Sequence, residues 1–130
     1  ALVAGVIQLT NAERAKVNAP PLKEHDLLKK AAQDYAAILA PGPCFEHTCP
    51  PVPALKDRVN NAKYPNPVRI GENIAAGDLT ASDVVAGWMN SPGHKANILN
   101  PEFREIGVGV QLGTGEFGIY WVQVFGTRTE

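Results

Sequence analysis

A small set of polar residues stands out against its surroundings and could carry chemistry: His47, Glu72, Ser91, His94, Tyr120 and Gln123. Glu72 follows Gly71, precedes Asn73 and leads into Ile74, Ala75 and Ala76, so a carboxylate enters an apolar segment where leaving it unpaired is costly. It is either a general base or a group that caps a turn and accepts backbone donors. His94 stands three residues after Ser91, in the first turn of an expected helix, where the positive end of the helix dipole disfavours imidazolium. A neutral ring keeps a lone pair for a metal ion or a proton, and the plainer alternative is a histidine hydrogen-bonded in the core. The Ser91-x-x-His94 spacing invites a nucleophile and base, but a serine at a helix cap already directs its oxygen at the backbone. His47 rides on a loop braced by prolines, whereas His25, among Lys23, Glu24 and Asp26, reads as a solvated surface residue.

Helices and strands must position these groups. Apolar residues at helical spacing predict a helix from Leu2 to Val17, which Ala19, Pro20 and Pro21 end. A second helix is expected from His25 to Leu39 through Leu28, Ala31, Ala32, Tyr35 and Ala36, and a short one from Ala54 to Ala62. Val68 to Ala75 is a candidate strand containing Gly71, Glu72 and Asn73. Asp78 to Met89 reads as a helix that Thr80 or Ser82 can cap, and Ser91-Pro92 starts another that ends near Asn100. Strands over Ile106 to Leu112 and Phe117 to Phe125 are joined across Gly113, Thr114 and Gly115 as a hairpin.

In the last strand Phe117, Ile119, Trp121 and Phe125 fall on one face, and Tyr120, Val122 and Val124 on the other. A strand apolar on both faces is covered on both, which makes the sheet the middle of three layers.

At 130 residues the chain is expected to be one domain, residues 1–130, with no internal repeat or linker. A formal net charge of −1 gives no electrostatic basis for holding nucleic acid, and no apolar run reaches the length a membrane helix needs. Cys44 and Cys49 lie in a segment crowded by Pro41, Pro43, Pro50, Pro51 and Pro53, where the chain can turn sharply. A local disulfide of an oxidising compartment is expected, the alternative being two free thiols in a cytosolic protein.

Four segments, Phe45-Glu46-His47, Gly71-Glu72-Asn73-Ile74-Ala75, the run from Gly87 to Leu99 containing Trp88 and Ser91-Pro92-Gly93-His94, and Tyr120-Trp121-Val122-Gln123-Val124-Phe125, occur in this order. In sequence and spacing they resemble the signature segments of the CAP superfamily (cysteine-rich secretory protein, antigen 5 and pathogenesis-related 1), in its bacterial form. The resemblance spans nearly the whole chain and implies a three-layer α/β/α sandwich with a central, mainly antiparallel sheet. It also implies a secreted, extracellular protein, expected here as a monomer, whose cavity is lined in eukaryotic members by two His and two Glu able to bind a divalent metal such as zinc. His47 matches the first His and Glu72 one Glu. The second Glu is here Ser91, the second His is here Tyr120, and His94 resembles a histidine that bacterial members carry nearby and that could share a zinc ion with His47. The expected cleft therefore contains Glu72, Ser91, Tyr120 and Gln123 beside the two imidazoles.

The function this implies is a non-enzymatic binding module for an extracellular lipid, sterol, glycan or protein. The competing class is a metal-dependent hydrolase or peptidase with Glu72 as general base.

Overall fold

The computed structural model describes residues 2–113 and 118–129. Its elements run α1 (Leu2–Lys16), β1 (Lys23–Glu24), α2 (Asp26–Leu39), α3 (Leu55–Asn61), β2 (Pro67–Ala76), α4 (Ala81–Met89), α5 (Pro92–Leu99), β3 (Glu105–Leu112) and β4 (Ile119–Arg128). The strands form one sheet in the order β1-β3-β4-β2, with β1 parallel to β3 and the other neighbours antiparallel.

Strand alternation decides the layers. Tyr120, Val122 and Val124 of β4 pack with Leu28, Tyr35 and Leu39 of α2 and Val59 of α3. Ile119, Trp121 and Phe125 pack on the opposite side with Val6 of α1, Val84 and Trp88 of α4 and Ile98 of α5. The sheet is therefore the middle of three layers, as expected. Helix α2 lies directly on β3, because Gly107 and Gly109 present no side chain there and a Cβ at either would meet the α2 backbone.

The helix α1 buries Arg14 completely beside Val6 and Thr10, one stripe at i, i+4 and i+8. Its guanidinium donates to the carbonyls of Pro20, Ile98, Asn100 and Phe103 at 2.8–2.9 Å, tying the end of α1 to the exit of α5. His25, expected in solvent, instead caps α2: its Nδ1 accepts from the Leu27 N–H at 3.1 Å, and the ring stands edge-on to Tyr64. Thr80 caps α4 through the Asp83 N–H. The two-residue strand β1 was not foreseen, being too short to show a period. Of the hairpin tip, Gly113 is described and donates to Gly118 O at 3.2 Å; Thr114, Gly115 and Phe117 lie outside the described residues.

Candidate functional site

Strand β2 is an edge of the sheet, and the site is built around its open side. Carbonyls at alternate positions of an edge strand point away from the sheet and need donors. Those of Glu72 and Ile74 receive theirs from helices of the second layer: Asn97 Nδ2 at 3.2 Å and Trp88 Nε1 at 3.0 Å. Helices α4 and α5 are thereby fastened beside β2, and the loop between α2 and α3 reaches the same edge from the other layer.

On the loop side Glu72 is the centre. Its side chain is 2% exposed and faces Arg58, which donates from Nη1 to Oε2 at 2.7 Å and from Nη2 to Oε1 at 3.1 Å. His47 Nδ1 stands 2.9 Å from Oε1. Arg58 also donates to the carbonyls of His47 (2.7 Å) and Pro53 (3.0 Å), and its Cζ lies 3.6 Å from the centroid of the Tyr35 ring. Tyr35 in turn donates to Glu46 O at 2.6 Å. A buried carboxylate has found a buried cation, and the same cation pins the loop that carries His47. Arg58 was missed in the sequence, where an arginine on a short helix reads as a solvated charge; the signal was Glu72 itself, since an ion entering an apolar strand requires a counter-ion.

The disulfide Cys44–Cys49 closes the tip of this loop. Beside it Phe45 reaches over the β2 edge and joins Ile74, Ala75, Ala76, Trp88, Ser91 and His94 around an open cleft of about 290 Å³. His94 is partly buried there. Burial first, and the nearby His47 second, hold its imidazole below the ordinary histidine range, leaving the ring neutral at physiological pH.

Ser91 occupies the cap position of α5, but its side chain makes no capping bond, contrary to the expectation that the backbone would claim it; Pro92 follows with no N–H to offer. The residue lines the cleft. Tyr120 is fully buried beneath Phe45, the two ring centroids 6.2 Å apart.

Gln123 does not line the cleft. Three residues from Tyr120 on an alternating strand, it points to the opposite face, where it is fully buried, accepts from Asn73 at 3.0 Å and donates to Thr10 at 2.8 Å. It links the sheet to α1. Asn73 also accepts from Asn97 at 2.9 Å, so the Gly71-Glu72-Asn73 segment works on both faces, Glu72 toward the loop and Asn73 toward α5.

The donors available to a divalent ion follow from this geometry. With Nδ1 engaged by Glu72, His47 keeps Nε2 free, and His94 keeps a neutral ring; both Glu72 oxygens are taken by Arg58. Among the described residues no three His, Cys, Asp or Glu side chains stand close enough to hold a metal together. A closed tetrahedral site of protein side chains is therefore not formed among the described residues.

A mainly antiparallel sheet between α2–α3 and α1–α4–α5, with a cleft across its β2 edge, defines an α/β/α sandwich of the CAP kind. The profile described as the Cysteine-rich secretory protein family matches residues 7–125, and the chain belongs to that family. It is 39% identical over 120 residues to the uncharacterized protein YkwD of Bacillus subtilis, covering 92% of this chain and 45% of that one. An extracellular protein of Bacillus anthracis containing an SCP domain superposes with a TM-score of 0.87 at 30% identity, over 98% of this chain and 40% of that one. An outer surface protein of Borrelia burgdorferi superposes at 0.83 with 28% identity, over 95% and 90% of the respective chains. The chain thus spans less than half the length of the two Bacillus proteins. No helix among the described residues is long and apolar enough to cross a membrane.

Proposed function

We propose that this chain is a secreted, non-enzymatic binding module whose β2-edge cleft takes the apolar part of an extracellular ligand or partner, with His47 and His94 beside it able to share a zinc ion. The observation that carries this is the state of Glu72. A general base needs to be within hydrogen-bond reach of a substrate proton, and the Glu72 side chain is instead 2% exposed, with both oxygens accepting from a buried guanidinium. The carboxylate supports the loop and orients His47, as a carboxylate behind a metal-ligating imidazole does. The cleft wall is mainly apolar, with Asp78, Ser91 and His94 as its polar residues. Extracellular placement is supported by the Cys44–Cys49 disulfide and by the likeness to an extracellular protein of Bacillus anthracis and an outer surface protein of Borrelia burgdorferi.

The test has two arms. Zinc titration by calorimetry on the wild type, His47→Ala and His94→Ala should show modest binding that each substitution removes; equal binding by all three removes the metal. Peptide and ester substrates incubated with and without zinc should be left intact. Turnover abolished by Glu72→Gln would transfer the protein to the metal-dependent hydrolases.

A further inference from the structure

Among the described residues one buried side-chain polar atom has no hydrogen-bond partner, the Tyr120 hydroxyl. Tyr120 is 0% exposed and sits in the apolar cluster of Leu39, Ala40, Cys49 and Ile74. Burying a hydroxyl without a partner is costly, and phenylalanine would fill the same space without that cost. The hydroxyl is thus a binding capability that the fold itself does not use.

One ring adjoins both Tyr120 and the cleft. Phe45 lines the cleft, is 37% exposed, and packs on Tyr120 at an interplanar angle of 59°. The backbone around Phe45 is held: Cys44 by the disulfide, Glu46 O by Tyr35, and His47 O by Arg58. The side chain has no such tie, so its ring can change rotamer while the loop stays in place. Swinging it outward would open a ring-sized space running from the cleft down to Tyr120.

We propose that Tyr120 is the hydrogen-bond donor of a deeper compartment of the cleft, gated by the Phe45 ring, and that its ligand carries a carbonyl-type acceptor on a flat apolar body. The inference rests on the reading of that cleft as a ligand site. The apolar body replaces the Phe45 ring against Ile74 and Tyr120, and the phenol proton, free to rotate, turns to the incoming oxygen. A ligand of the same shape without the acceptor gains the contact and not the bond.

Acetophenone and ethylbenzene, matched in ring and chain, are the probes, titrated into labelled protein and followed by NMR at Phe45, Trp88 and His94. Phe45→Ala should bind both more tightly than the wild type. In that background acetophenone should exceed ethylbenzene by about tenfold, the worth of one net hydrogen bond, and Tyr120→Phe should erase the difference while leaving stability unchanged or raised. Equal affinity for both probes with Tyr120 present, at a cleft that still responds, overturns the Tyr120 role and leaves the cleft reading standing. No response at Trp88 or His94 to either probe overturns both. A Tyr120→Phe chain clearly less stable than the wild type shows that the hydroxyl already has a structural partner, and overturns the inference without touching the cleft.

Discussion

Arg58 donates to both oxygens of Glu72 with the two side chains only 7% and 2% exposed, so each ion is the main reason the other can be buried. Removing one partner strands the other in a low-dielectric place. Glu72→Leu and Arg58→Met are each expected to cost about 3–5 kcal/mol in a denaturant titration, and the double variant Arg58→Met/Glu72→Leu less than either alone. Losses that simply add would mean that the two groups are not coupled.

Trp88 joins the site to the core. Its ring is 2% exposed among Val84, Ile98 and Trp121, and its Nε1–H satisfies the outward carbonyl of Ile74 on β2. Trp88→Phe keeps most of the packing and orphans that carbonyl, for an expected loss of about 1–3 kcal/mol. Trp88→Ala should lose about 3–5 kcal/mol. Chemical denaturation of both variants checks the order, and a neutral Trp88→Phe would mean that water replaces the indole at the strand edge.

The layers were legible in the sequence because β4 carries its apolar residues on both faces, and period-2 alternation assigns Tyr120, Val122 and Val124 to one helix layer and Trp121 and Phe125 to the other. The same alternation, applied to Gln123, would have removed it from the cleft: it lies an odd number of residues from Tyr120. Arg58 was not legible from its own neighbourhood, because nothing local to a seven-residue helix says that its arginine turns inward to a partner 14 positions away. Ser91 misled for a related reason. Its sequence context is that of a cap, and whether the hydroxyl bonds the helix or faces a cleft depends on a rotamer the sequence does not specify.

Cys44 and Cys49 close a very short loop, so the unfolded chain loses little freedom through the bridge. Replacing both with Ala should cost about 2 kcal/mol and leave the fold intact. The loop has other ties, Tyr35 to Glu46 and Arg58 to His47. Amide signals of Phe45 should therefore broaden or shift more than those of His47, which stays attached to Glu72. Equal disturbance at both would mean that the disulfide alone sets the loop.

The His94 imidazole offers a direct check that the two histidines share a cleft. Burial, and after it the charge of His47, lower its proton affinity in the folded chain. The unfolded chain takes up the proton near the reference histidine value of about 6.5. Between that value and the lower folded one, the unfolded state binds more protons, so this group's contribution to stability is intact above about pH 6.5 and is lost as pH falls toward the folded pKa. His94→Gln should flatten that part of the stability profile. Following the His94 ring protons by NMR should give a midpoint below about 6.5 in the wild type. In His47→Gln it should rise only part of the way, since burial, the larger cause, remains. A midpoint that does not move when His47 is replaced would mean that the rings do not sense each other, and a zinc ion held between them would lose its structural basis.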